Sequence, residues 1–121
     1  METTRQINES NARYPRHLAV DLQRIVEVLK RHGAQHVILY GSFARGDFRE
    51  DSDFDLCVEG LSSRDFFVAV TDCLMATDRP VSLTDLKNVH GYLRERILNE
   101  GKVLYDARNI QTGNRFWVGK P

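Results

Sequence analysis

Residues 37–59 run VILYGSFARGDFREDSDFDLCVE. Val37, Ile38 and Leu39 form a continuous apolar run within 35–40, too short for a helix and halted by Gly41, which reads as a buried strand. The loop 41–52 has room for one helical turn after Ser42. Residues 53–59 read as a second strand, because Phe54, Leu56 and Val58 alternate with Asp53, Asp55 and Cys57. Gly60 closes it. So short a connection most simply makes the two strands antiparallel neighbours, with Gly41-Ser42 and the acidic pair at one sheet edge.

Upstream, Leu18, Leu22, Ile25, Val26 and Leu29 recur at spacings of three and four, giving an amphipathic helix over about 15–32 with Pro15 at its start and Gly33 at its close. Downstream, Ser62 followed by Asp65 has the form of a capping box, and Phe66, Phe67, Val70, Cys73 and Leu74 supply the stripe of a helix over 63–76. Pro80 opens a third strand, 81–86. Val89, Leu93, Ile97 and Leu98 mark a helix over 88–100 closed by Gly101, and 102–105 (KVLY) makes a fourth strand. The pattern is an α/β domain, a small mixed sheet of about four strands with helices packed on it. A helical crossover leaves the second and third strands parallel, which returns the start of the third to the edge carrying both motifs. We expect a polar leader at 1–14, the folded domain at 15–106, and a tail at 107–121. In that tail Phe116, Trp117 and Val118 are costly to leave in water and would dock on this domain or on a partner.

The chain has 121 residues and 41% hydrophobic content, which fits one domain. Seventeen basic and seventeen acidic side chains cancel, so no overall field argues for direct nucleic-acid binding or a membrane surface. The acidic side chains Asp47, Glu50, Asp51, Asp53, Asp55 and Glu59 crowd together against Arg49, where a cation would be drawn. No apolar run approaches a membrane span, and the opening residues lack a signal-peptide pattern, so a cytoplasmic protein is expected. Cys57 and Cys73 sit in apolar segments and read as buried reduced thiols. His17, His32, His36 and His90 are scattered without zinc-site spacing.

A Gly-Ser at a strand end offers backbone N–H groups and a hydroxyl to an anion, and the glycine lets a phosphate come close. The same pair can also simply turn the chain. Asp53 and Asp55, one residue apart in a strand, present both carboxylates to one face, the oxygen-rich arrangement that Mg²⁺ takes alongside substrate phosphates. A solvated acidic strand end would look similar. Taken together, an anion cradle and a cation cradle at one edge describe a site for a metal-bound nucleoside triphosphate.

Gly41-Ser42, ten intervening residues and Asp53-Phe54-Asp55 resemble the G-S-x10-D-x-D signature of the DNA polymerase β-like nucleotidyltransferase superfamily. The longer run GSFARGDFREDSDFDL is similar to the form found in minimal nucleotidyltransferases, the MNT family, and the likeness spans about residues 20–105. The resemblance implies that Gly41 and Ser42 hold nucleotide phosphates and that Asp53 and Asp55 are the catalytic carboxylates binding two Mg²⁺ ions. It implies ATP as substrate, and an in-line attack by an acceptor hydroxyl on the α-phosphorus with pyrophosphate leaving. Arg45 matches the family's arginine, either contacting phosphate or pairing with Asp47 or Asp51. Gly46 reads as a turn residue. The family's third carboxylate, in a V-D-L context at the start of the third strand, is replaced here by Ser82 in Val81-Ser82-Leu83, which puts the second metal site in doubt. Asp85 lies an odd number of residues further along and faces away unless a bulge intervenes.

Minimal proteins of this kind resemble the antitoxins of HEPN/MNT toxin–antitoxin pairs. The resemblance therefore implies a chain that transfers AMP from ATP to a hydroxyl of a HEPN-type partner protein. The alternative is a catalytically weakened, nucleotide-binding antitoxin that neutralises its partner by contact. Transfer to a small molecule such as an aminoglycoside lacks an acceptor-binding region, and a D-x-D glycosyltransferase would need a much larger domain. Self-association stays open.

Overall fold

The computed structural model describes residues 14–108 of the chain. In order, the elements are helix α1 (Arg16–Arg31), strand β1 (His36–Tyr40), the short helix α2 (Ser42–Arg45), β2 (Phe54–Glu59), α3 (Ser63–Ala76), β3 (Val81–Asp85), a 3-10 turn (Leu86–Asn88), α4 (Gly91–Glu100) and β4 (Lys102–Asp106). The strands form one sheet in the order β3-β2-β1-β4. β1 runs antiparallel to β2 and to β4, whereas β2 and β3 are parallel, as the helical crossover requires. The third strand stops at Asp85, because that residue turns to cap the 3-10 segment, its Oδ1 accepting from the Lys87 N–H at 3.2 Å. The leader through residue 13, and Phe116, Trp117 and Val118 of the tail, lie outside the described residues.

Both faces of the sheet are covered, unequally. One face carries Val37, Leu39, Phe54, Leu56 and Val58 against Leu18, Leu22, Ile25, Val26 and Leu29 of α1 and Ala69 and Cys73 of α3. The other holds a smaller cluster of Ile38, Cys57, Leu86, Val89 and Ile97, with Tyr40 and Val103 half-buried beside it. Strict alternation along β1 and β2 therefore sends apolar side chains to both sides, and the less covered side is the one on which Asp55 opens to solvent.

Two helical stripes differ from expectation. On α3 the residues turned inward are Phe66, Ala69 and Cys73, while Phe67 (72% exposed), Leu74 (56%) and Met75 (83%) face solvent. Apolar residues cover more than half of the circumference of the helix, so the stripe is too wide for hydrophobicity alone to pick the inner face. The Ser62 cap is present, with Oγ accepting from the Asp65 N–H at 3.0 Å. On α4, which begins at Gly91 after the 3-10 turn, Ile97 is fully buried but Leu93 and Leu98 are exposed.

Cys57 and Cys73 are free and buried. Burial pushes their thiols up to about 12 and about 11 respectively, with Asp85 adding to the first and Asp72 to the second. The thiolate is the reactive form, so both should resist alkylation in the native protein near neutral pH. We predict negligible iodoacetamide labelling by intact mass at pH 8 and labelling of both cysteines in denaturant; fast native labelling would contradict the packing described.

Candidate metal–nucleotide site

The site is built by register. Tyr40, the last residue of β1, pairs across the antiparallel ladder with Asp55, so Gly41 leaves β1 directly beside that carboxylate. Gly41 has φ 76 and ψ −153, a region essentially reserved for glycine. A Cβ there would also collide with Asp55 Oδ2. The glycine is thus required both by its backbone conformation and by the approach of the acid. Ser42 then starts the single turn of α2, whose Arg45 N–H donates to the Gly41 carbonyl at 3.0 Å, and Gly46 (φ 92) ends it. Phe43 and Ala44 anchor the turn in the core. The two halves of the motif, separate in sequence, meet at one sheet edge.

Asp53 is exposed and Asp55 half-buried. Burial raises the Asp55 pKa above the ordinary carboxylate value, the neighbouring charge of Asp53 raises it further, and Arg45 opposes both. Two like charges, one of them partly desolvated, are a donor set suited to a hard divalent cation. Among the described residues no group of three or more His, Cys, Asp or Glu side chains is placed to hold a metal. The carboxylates present therefore fit an ion whose coordination is completed by substrate phosphates, and they do not supply a three-carboxylate centre.

Ser82 stands directly across the parallel ladder from Asp55, exposed on β3. The register between β2 and β3 is continuous from Phe54 and Val81 to Val58 and Asp85, with no bulge. Asp85 is consequently opposite Val58, buried, and engaged with Lys87, whose Nζ lies 3.6 Å from its Oδ2 and donates to the Leu61 carbonyl. It stays outside the site. Arg45 is paired with Asp47, Nε to Oδ2 at 3.3 Å, in an exposed contact that costs little to break. No metal-like convergence of histidines occurs among the described residues: His32 meets Asp72 at 2.7 Å, and His36 lies near Glu59 and Asp106 at the far end of the sheet.

Tyr40 was not singled out by the motif, yet it walls the site. Its hydroxyl lies 3.1 Å from Thr84 Oγ1 on β3, so the ring spans β2 between the open face at Asp55 and the apolar cluster at Cys57. Burial raises the phenol's pKa, the Thr84 hydrogen bond lowers it, and the Asp55 charge raises it again. The signal was available: counting back one residue from Gly41 in an antiparallel pair places Tyr40 beside the second aspartate.

Because Asp55 has a raised folded-state pKa, it binds a proton in the folded state over a pH window in which the unfolded chain does not. Unfolding free energy therefore falls as pH rises through that window, and the metal-free fold bears the full cost above it. We predict that Asp55→Asn raises the melting temperature of the metal-free protein at pH 7, that the gain vanishes below the ordinary carboxylate range, and that added Mg²⁺ narrows it. Gly41→Ala should cost about 1–3 kcal/mol through backbone strain alone, read by urea unfolding. A Gly41→Ala variant as stable as the wild type would contradict the geometry.

Comparison with known proteins places this arrangement. The family model for polymerase beta, nucleotidyltransferase, matches residues 23–110. Two Methanocaldococcus jannaschii proteins, each named as a putative protein adenylyltransferase, are similar to this chain. One is 31% identical over 81 residues, 64% of this chain and 87% of that protein; the other is 30% identical over 94 residues, 69% and 94%. A solved structure named as that of a putative minimal nucleotidyltransferase aligns at TM-score 0.61 and 29% identity, over 71% of this chain and 91% of that one. A chain of the Shewanella oneidensis complex between a tri-AMPylated HEPN toxin and an MNT antitoxin aligns at TM-score 0.57 and 19% identity, over 80% and 81%, a likeness of fold. With a four-stranded mixed sheet bringing Gly41-Ser42 to Asp53 and Asp55, and a family model covering most of its length, the chain belongs to the polymerase β nucleotidyltransferase family.

Proposed function

We propose that this protein is a Mg²⁺-dependent adenylyltransferase that moves AMP from ATP to a hydroxyl of a HEPN-type partner protein, acting as the MNT antitoxin of such a pair. The observation that carries the reading is the approach of the Asp55 carboxylate to the Gly41 backbone, which joins an anion cradle to a cation cradle. The names of the M. jannaschii relatives and the AMPylated toxin in the Shewanella complex support the reaction and the partner class. No described helix is long and apolar enough to cross a membrane.

In this reading Ser42 and the backbone N–H groups following Gly41 orient the triphosphate, and Arg45 leaves its exposed contact with Asp47 to meet a phosphate oxygen. Asp53 and Asp55 would hold the metal, which when bound neutralises phosphate charge and polarises the acceptor. Asp55, half-buried and level with both Tyr40 and Ser82, is the carboxylate set back into the sheet, and Asp53 is the exposed one. In this reading the partner supplies the acceptor hydroxyl.

A second reading has its own observation. Ser82, level with Asp55, supplies a neutral hydroxyl where a third carboxylate would complete the site that activates the nucleophile, so transfer would be slow while Mg·ATP binding is kept. The two readings share a nucleotide site and differ in turnover. With the purified partner, labelled ATP and Mg²⁺, we expect slow AMP transfer by the wild type, about tenfold or more faster transfer by Ser82→Asp, and none by Asp53→Asn or Asp55→Asn. Rapid wild-type transfer that Ser82→Asp does not improve would remove the weakened reading. Failure of the wild type to bind Mg·ATP would contradict both.

A further inference from the structure

We infer that Arg79 is the positioning residue that holds the Asp53 side of the site, an inference that rests on the nucleotide-site reading above. Arg79 lies on the connection between α3 and β3, outside both halves of the motif. Its Nη1 donates to the Ser52 carbonyl at 2.7 Å, and Ser52 immediately precedes Asp53. Its guanidinium carbon stands 5.7 Å from the ring centroids of both Phe43 and Phe54. Phe43 follows Ser42 and Phe54 separates the two aspartates, and the two rings pack against each other at 4.8 Å. One cation therefore touches the residue behind the phosphate cradle, the residue between the carboxylates and the carbonyl before the first of them.

The neighbouring backbone reinforces the clasp. The Phe54 N–H donates to the Pro80 carbonyl at 3.0 Å, and Ser52 Oγ accepts from the Arg49 N–H at 2.7 Å. The 79–80 segment is thus stitched to 52–54 on both sides of Asp53. Asp53 itself is exposed and lies just before β2 begins at Phe54, so the ladder alone does not fix its direction. Arg79 Nε is closed off from solvent with no hydrogen-bond partner among the described residues, a desolvation cost that an apolar side chain would avoid. Retaining the guanidinium at that cost accords with the fork being needed for what it holds. The Arg79 contact with this segment is made to the Ser52 carbonyl, so its action on Asp53 passes through the backbone.

The test compares wild type, Arg79→Met and Arg79→Lys in the full chain. Met keeps the apolar stem over the two rings and removes the donor; Lys restores a charge but not the planar fork. We expect Arg79→Met to weaken Mg·ATP binding about tenfold in calorimetric titration, with ATP binding in EDTA unchanged and a smaller Mg-dependent loss in Arg79→Lys. A loss of equal factor with and without Mg²⁺ would mean that Arg79 contacts phosphate directly and would overturn the positioning role. Unchanged Mg·ATP affinity would overturn it too. Amide hydrogen exchange at Phe54, whose N–H is held by the Pro80 carbonyl, read without ligand, separates this inference from the nucleotide reading. Faster exchange in Arg79→Met than in wild type supports the clasp even if no nucleotide binds, and equal exchange overturns it.

Discussion

The contact on which the rest of the molecule depends is the one between the Asp55 carboxylate and the bare backbone of Gly41. It exists because β1 and β2 are antiparallel with Tyr40 level with Asp55, and because Gly41 has no Cβ to fill the space. Shifting the register by one residue would turn Asp55 into the packed face beneath α1 and α3 and bring Leu56 to the solvent side. The large cluster formed by Val37, Leu39, Leu56 and Val58 with α1 resists such a slip, so the hydrophobic core fixes the placement of the polar site.

The unequal cover on the two faces follows the division of labour in the sheet. α1 and α3 close one side with most of the buried apolar side chains, while α4 contributes Ile97 and the 3-10 turn contributes Leu86 to the other. Asp55, Ser82 and Thr84 belong to the strands β2 and β3, with Ser82 exposed and Asp55 and Thr84 half-buried. Asp55 is consequently half-desolvated and repelled by Asp53, an arrangement unfavourable for the metal-free fold and relieved by a cation. In the function proposed above, a cation held there would draw part of its affinity from relieving that repulsion.

Much of this was legible in the sequence because it rests on period and spacing. The alternation of Phe54, Leu56 and Val58 against Asp53, Asp55 and Cys57 fixed the faces, and the helical crossover fixed the direction of β3. The odd step from Ser82 to Asp85 placed the latter opposite Val58, away from the site. What failed was the choice of inner face on α3 and α4. Phe67 and Leu74 are as apolar as the buried Cys73, and only packing against α1 distinguishes them. Arg79 was illegible for a related reason: an arginine before a proline in a connection carries no periodic signal, and its partners lie 27 residues away at Ser52 and farther at Phe43.

The polymerase β family supplies the chemistry this fold can host, and in the function proposed above Ser82, level with Asp55, sets how much of it this chain would retain. In the proposed function, Asp53 and Asp55 form a cation seat beside the Gly41-Ser42 phosphate cradle. That seat is tested most directly by anomalous diffraction from crystals grown with Mn²⁺ and a non-hydrolysable ATP analogue. The expected result is an anomalous peak touching both carboxylates, with the triphosphate running from it to the Gly41-Ser42 backbone. Nucleotide bound elsewhere, or bound there with no metal against Asp53 and Asp55, would contradict it.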